Sequence, residues 1–330
     1  GHVTGVQTCA LPICIRVVEL LSLEELKILD ISALYKTQVK VLEHNSEKWT
    51  KYFLDEPEIK MLRGIKKDKR IKQFGELMDV DVGIVTGRNE FFMINQETID
   101  KWNLNKFTNN VVGRSNHFKG IAFTENDFTD NINAGINGYL FLPPEKDFED
   151  LPKACKDYIK FGEKQNYHTG YKCRIRKRWY ITPSLWNPDA FVLRQVGDYP
   201  KLIINKAEAS STDTIHRVRF KTKIEANILA LSFLNSLTFA FSEITGRSYG
   251  GGVLTFEPSE IEELPLPILE NTTIDFNLID ALIRQRKISK VLDIVDEELL
   301  IKQLKFTKEE VLMLRSIWKK LSSRRNNRKK

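Results

Sequence analysis

The sequence predicts an α+β protein, in which a β-rich middle around one buried helix is followed by a C-terminal helical hairpin or arm. Three observations predict it. Short apolar and β-branched runs recur between residues 80 and 221, the stretch from Glu225 to Thr245 is apolar on every side at helical spacing, and from Ile274 to Leu321 apolar residues return every three and four positions among many charges. With 42% hydrophobic and 29% charged residues in 330, the chain can bury a sizeable core, which excludes disorder for most of its length.

The elements follow in order. Val3 to Ile13 resembles the translation of a common sequencing-adapter oligonucleotide, and Cys14 fits its one leftover base, so residues 1–14 are set aside as an artefact and native sequence is expected to begin inside a gene. Residues 15–70 hold an apolar start (Ile15, Val17, Val18), a Leu/Glu helix around Ser22 to Leu29, and a polar stretch with Trp49, Tyr52 and Phe53, and are taken as the trailing edge of a preceding domain plus a linker. The run Lys66, Lys67, Lys69, Arg70 and Lys72 suits a solvated helix face. Residues 71–270 form the β-rich domain. Val80 to Ile94 alternates around Thr86-Gly87-Arg88-Asn89 and predicts a hairpin or tight strand turn. Further strands are expected at Gly138 to Leu142, Cys173 to Thr182, Ala190 to Gln195, Leu202 to Asn205 and Ile215 to Lys221. The buried helix from Glu225 stops at Gly246, a glycine triplet leads a strand over Gly250 to Phe256, and Ser259 suits the cap of a short helix ending before Pro265 and Pro267. Residues 271–330 supply the last helices and a basic tail, Arg324, Arg325, Arg328, Lys329 and Lys330, expected to fray.

Several function classes fall away. Ile228 to Phe241, the longest apolar run, is broken by Ser232, Asn235, Ser236 and Thr238 and is too short to cross a bilayer, so no membrane partner is expected. Cys9, Cys14, Cys155 and Cys173 form no C-x-x-C pair and no disulfide framework, and the five histidines pair with neither one another nor a cysteine at metal-ligand spacing. A reducing compartment and no metal are expected. No serine sits in a G-x-S-x-G elbow, and Gly250-Gly251-Gly252 lacks the Lys-Ser/Thr of a phosphate loop.

What remains is basic and amide side chains beside glycines and aromatics, a combination suited to phosphates and base edges, and a net charge of +7 agrees with a polyanionic partner without singling one out. If Tyr171 to Tyr180 is a strand, Lys172, Arg174, Arg176 and Arg178 share one face as a ladder of cations; the alternative is a solvated strand edge. Thr86 to Phe92, Gly113 to His117 and Ser211 to Arg217 each set a hydrogen-bond donor beside small or turn-forming neighbours.

Val82-Gly83-Ile84-Val85-Thr86-Gly87-Arg88-Asn89 with Phe91-Phe92, Val112-Gly113-Arg114-Ser115, Ile204-Asn205-Lys206, Ser211 to His216, and Gly246-Arg247-Ser248-Tyr249-Gly250-Gly251-Gly252 running into Glu257-Pro258-Ser259-Glu260 and Leu264-Pro265-Leu266-Pro267 together resemble the C-terminal target recognition domain of class I (gamma-type) adenine-N6 DNA methyltransferases of restriction–modification systems. The last stretch also resembles the helix-then-Pro endings of type I specificity subunits. The resemblance covers about Trp49 to Leu269. It implies that the β-rich domain recognises double-stranded DNA, that S-adenosylmethionine and the catalytic Asn-Pro-Pro-aromatic segment belong to a missing N-terminal catalytic domain acting in cis, that the fragment alone is inactive, and that a cognate restriction endonuclease is a possible partner in a bacterial or archaeal cytoplasm. Asn187-Pro188-Asp189-Ala190-Phe191 has the wrong third residue for that segment, so no catalytic residue and no cofactor contact is carried over. DNA contacts are expected at Arg88, Asn89, Arg114, Asn116, Arg174, Arg176, Arg178, Lys206, His216, Arg217 and Arg247, although Gly246 to Gly252 equally suits a tight connector. A free-standing specificity subunit is the second reading, disfavoured by the single β-rich region; an unrelated binding protein with a basic surface is the third.

Overall fold

The computed structural model describes residues 14–18, 20, 22–43, 47–183 and 185–327. Residues 1–13 of the adapter-like segment and Arg328, Lys329 and Lys330 lie outside the described residues. The chain divides into two compact units, Gly1–Asp68 and Lys69–Lys330.

In the first unit the expected strand shortens to Cys14–Ile15, paired antiparallel with Lys40–Val41, so Val17 and Val18 are not part of it. The Leu/Glu helix spans Leu23–Lys27 and starts where Ser22 accepts a hydrogen bond from Glu25 N at 3.2 Å. The helix Glu56–Ile65 opens on a capping box between Asp55 and Glu58. Glu47 accepts from Lys51 and, at 3.0 and 2.9 Å, from Arg63. Burial works against the charge of Glu47, but these cations outweigh it and hold the carboxyl down at about 2.

The second unit is built on two larger sheets. Five strands run in the order Met78–Val82, Ile215–Phe220, Ala190–Leu193, Leu202–Asn205 and Ala122–Phe123, antiparallel except for the last pair. Ala190–Leu193 is the central strand with all four residues buried, which is why it appears in the sequence as an unbroken apolar run. The other sheet orders Ser210–Ser211, Thr108–Val112, Tyr139–Phe141 and Met93–Ile94. A three-stranded sheet joins Gln195–Val196, Leu254–Thr255 and Arg247–Ser248.

Three expectations change here. The stretch from Val80 to Ile94 is no hairpin, because Met78–Val82 and Met93–Ile94 belong to different sheets and the helix Asn89–Phe92 lies between them. Its alternation has another cause: Phe91 and Phe92 turn into an aromatic core with Phe141, Tyr158 and Trp179. Residues 173–182 form no strand. A helical turn spans Tyr171–Arg174, and the cation ladder therefore does not exist. Strand propensity at this site is overridden by anchoring: Cys173 is buried against Gly87, and Arg176 donates to the carbonyls of Val85 and Thr86. The single buried helix is a pair, Ala226–Phe233 and Ser236–Thr245, bent by 70° where Asn235 caps the second by accepting from Thr238 N at 2.9 Å. Among the described residues no single helix is long and apolar enough to cross a membrane.

Two smaller corrections concern the stretch after Gly246. The strand there is only Leu254–Thr255, and Glu257, in a capping box with Glu260, caps the helix Pro258–Glu262 in place of Ser259. Of the two forms left open for the C-terminal part, the structure shows helices folded back onto the sheet unit. Phe276–Arg284 places Asp280 to accept from Ile121 N at 2.7 Å. Ile288–Val295 runs on into a π-helix, Asp296–Gln303, and Arg315 of the helix Lys308–Asn327 reaches back to Asp296 at 2.8 Å. Arg325, expected in a frayed tail, is instead 2% exposed and bidentate to Glu243 at 2.7 and 3.0 Å.

Candidate nucleic-acid interface

Three of the sequence segments singled out above meet in space. Beyond Val82 the chain leaves the five-stranded sheet through Gly83, whose backbone runs so close to the Thr212 carbonyl that any Cβ would sit 2.0 Å from it. Ile84 N then donates to Ser211 O at 2.6 Å. Ser210 and Ser211 pair in parallel with Val111 and Val112, Thr212 N donates to Val112 O at 3.0 Å, and Thr214 Oγ1 donates to Gly113 O at 2.7 Å. Backbone bonds thus lash residues 83–89, 111–117 and 210–216 together at the place where the two sheets meet, and Gly87, at φ +80°, makes the turn that ends the first of them.

The outcome is a cleft of about 410 Å³ lined by Asn89, Glu90, Met93, Arg114, His117 and Asn137. Arg114 is exposed at its edge and leads into the 3-10 turn Ser115–His117. His117 is buried; that burial, and secondly the charge of Arg114, push its pKa below the ordinary histidine value, so its ring is neutral at pH 7. Asn89 accepts from the Thr86 hydroxyl, and the Arg88 guanidinium lies 5.2 Å from the Tyr167 ring centre and 3.4 Å from Glu90. Amide, imidazole and guanidinium groups on one concave surface offer both donors and acceptors, which is the chemistry that reads base edges and holds phosphates.

Of the eleven expected contacts, Asn89 and Arg114 line this cleft, and Arg88 flanks it through its ion pair with Glu90. Asn116 faces the other side of the same turn, in a second cleft of about 590 Å³ shared with Lys119, Asp198, Lys201, Arg284 and Arg286. Arg174 is exposed, and Lys206, also exposed, lies 5.5 Å from the Phe276 ring centre. The rest are paired with other groups of the chain, Arg176, Arg178, His216 and Arg217 partly or wholly covered and Arg247 still exposed. Arg176 holds the two carbonyls already named, Arg178 pairs with Asp147 at 2.8 Å, and Arg247 with Glu260 at 2.9 Å. His216 is fully buried with Nε2 2.8 Å from Phe256 O, and burial lowers its pKa. Arg217, 1% exposed, bonds Asp81 and the Val82 carbonyl and lies 4.4 Å from the Trp186 ring centre. His216 and Arg217 are therefore corrected from surface contacts to parts of the sheet's interior, because Ile215–Phe220 is covered where an isolated strand would be half open. His117 and Asn137, which also line the cleft, were not singled out in the sequence. Their only signal was proximity to the Gly113–Arg114 turn and to a strand start, and neither locates a cleft.

Lys201 offers a direct test of this electrostatic environment. It is 8% exposed, donates to Phe118 O at 3.1 Å, and burial, opposed only in part by Asp280, draws its pKa from 10.5 to about 8. The folded value lies below the unfolded one, so between about pH 8 and 10.5 the unfolded chain holds a proton that the folded chain has lost, and Lys201 makes stability rise with pH in that window. Lys201→Met is expected to raise Tm at pH 7, with the advantage shrinking above pH 8. Thermal melts giving the same difference at pH 7 and pH 10 would contradict this.

Comparison with known proteins gives the class, a C-terminal domain of a restriction–modification methyltransferase. The chain belongs to the family described as Type II methyltransferase M.Eco57I, C-terminal domain, whose model matches residues 46–300. It is similar to the Type II methyltransferase M.XamI of Xanthomonas campestris pv. amaranthicola, 35% identical over 209 residues, which are 60% of this chain and 37% of that protein. It is also similar to the Type II methyltransferase M.AccI of Acinetobacter calcoaceticus, 23% identical over 236 residues, 69% of this chain and 42% of that one. The chain thus spans about two-fifths of the length of these curated relatives. Among solved structures, that of the type IIG restriction endonuclease BpuSI aligns with 81% of this chain and 33% of its own at 13% identity and a TM-score of 0.47.

Proposed function

We propose that this chain is the DNA-reading part of an adenine-N6 DNA methyltransferase, and that duplex DNA lies along the mouth of the Asn89–Arg114–His117 cleft. The observation that carries the reading is the convergence of three separate motif segments on that one cleft through backbone hydrogen bonds. Arg88, Asn89, Arg114, Asn116, Arg174 and Lys206 contact the duplex; Arg176, Arg178 and Arg247 brace the loops that present them, and His216 and Arg217 support the sheet beneath. Neither segment nearest in sequence to such a motif has the form of a methyl-donor site: Gly250–Gly252 form a 3-10 turn leading into a strand, and Asn187 lies in a loop, its side chain bonded to Asn109 at 3.1 Å. On this reading S-adenosylmethionine and the catalytic segment belong to the part of the relatives' length that this chain does not span, and the polypeptide alone transfers no methyl group. A cognate restriction endonuclease is a partner of the same system.

Labelled duplex titrated at two salt concentrations tests the reading, since phosphate neutralisation makes affinity fall steeply with salt. Arg114→Ala is expected to weaken duplex binding by about 1–3 kcal/mol, with relaxed sequence choice if the guanidinium reads a base edge. Binding indifferent to salt, or an Arg114→Ala variant that binds like the parent, counts against it.

A further inference from the structure

Tyr171 and Ile175 are 64% and 59% exposed, large apolar side chains four residues apart on one helical turn. Residues 170–178 contain no acidic residue, and Lys172, Arg174 and Lys177 are exposed around the two apolar groups. The Lys172 ammonium lies 5.9 Å from the Tyr171 ring centre. Beneath this tip the turn is held firmly. Cys173 is fully buried, Lys172 and Cys173 pack on Gly87 so closely that a Cβ there would be 2.8 and 3.3 Å from them, and Arg176 ties the end of the turn to the Val85 and Thr86 carbonyls. Gly87 is two residues from Asn89, so the tip stands beside the cleft and is fixed to the segment that lines it.

A rigid apolar point ringed by cations suits a partner that is anionic outside and apolar within. We propose that Tyr171 and Ile175 form a wedge that enters the base stack of double-stranded DNA, while Lys172, Arg174 and Lys177 hold the flanking phosphates. The inference rests on the DNA reading above and adds how the duplex is deformed. Apolar wedges of this kind part a base step at a cost of a few kcal/mol, returned by contacts that the kinked duplex permits. The wedge should therefore favour DNA in which stacking is already broken, whatever the target sequence.

The test compares a labelled duplex with the same duplex carrying one abasic site, at fixed salt. The parent chain is expected to bind the abasic duplex about tenfold more tightly, about 1.4 kcal/mol, because one missing base removes part of the unstacking cost. Tyr171→Ala/Ile175→Ala should lose that preference while binding the intact duplex within about threefold of the parent, and Lys172→Gln/Arg174→Gln/Lys177→Gln should weaken both duplexes alike and keep the preference. All five positions are exposed, and matching circular dichroism melts check that each variant folds. A parent that binds duplex with no preference, or a preference that survives loss of Tyr171 and Ile175, overturns the wedge and leaves the DNA reading standing; a tip that instead covers another protein would give that result. No duplex binding even at low salt would remove the DNA reading itself, and the wedge with it.

Discussion

Gly83→Ala is expected to unfold the second unit or leave it barely stable. The added Cβ would lie 2.0 Å from Thr212 O and 2.6 Å from Ile215 O. Both are backbone atoms of the chain that pairs with this segment, so the contact can be relieved only by separating Gly83 from Thr212 and breaking the bonds from Ile84 to Ser211 and from Thr212 to Val112. A flexible side chain could swing away; these carbonyls cannot. The cost should exceed about 4 kcal/mol, in the range reserved for substitutions that a packed interior cannot accommodate. Denaturant titration measures it, with Gly197→Ala, where the new methyl meets nothing within 4 Å, as the control. If Gly83→Ala melts within 1 kcal/mol of the parent, on the order of an ordinary surface change, the close approach is wrong. A partly folded product would be informative in another way, because the same bonds place Asn89 beside Arg114, and the cleft should be lost together with the junction.

Arg325→Met is expected to have the second large effect. The Arg325 guanidinium is bidentate to Glu243 and also donates to the carbonyls of Gly197 and Gly252, so one side chain joins the last helix to the buried helix and to two loops. Removing it strands a carboxylate that is 4% exposed, and breaking one partner of such a pair typically costs about 3–5 kcal/mol. Burial raises the Glu243 pKa above the usual carboxylate value even with Arg325 in place. The folded value therefore lies above the unfolded one, and the contribution of Glu243 to stability is lost as pH rises through it. Without the arginine the rise should grow, so the variant should recover part of its stability on acidification towards pH 5. Arg325→Met/Glu243→Gln should lie closer to the parent at pH 7, since the stranded charge is gone. A variant as stable as the parent would show that the pair holds nothing together, and a loss that does not depend on pH would show that no stranded charge causes it.

Much of the architecture was legible because its cause is local. Leu202–Asn205 coincides with the expected strand, and Tyr139–Phe141, Ala190–Leu193 and Ile215–Phe220 fall within or at one residue of theirs. Each is a short apolar or β-branched run bounded by turn residues, and the packing confirms the preference that the residues already have. Gly246 ends the second buried helix, with its N–H bonded to Ser242 O at 2.9 Å. The misjudged segments share another feature. In Val80 to Ile94 and Cys173 to Thr182 the pattern fits a strand, but Gly83 and Cys173 are claimed by residues far away in the sequence, and long-range contact decides the conformation.

The candidate site shows the same division more sharply. Side-chain type and motif position brought Arg88, Asn89 and Arg114 to notice, and they do line or flank one cleft. The same reasoning selected Arg217, whose partners Asp81 and Val82 are 136 and 135 residues away, and dismissed Arg325 to a loose tail although it is among the most enclosed charges described. By itself the sequence determined the α+β class, the positions of the apolar strands, the motif segments of a methyltransferase C-terminal domain and a surplus of positive charge, because each is written in neighbouring residues. Only the tertiary structure decided which cations face solvent and which are spent inside. A guanidinium is the same group in both places, and its role depends on whether a carboxylate, a carbonyl or open water is brought to it by chain folded in from elsewhere.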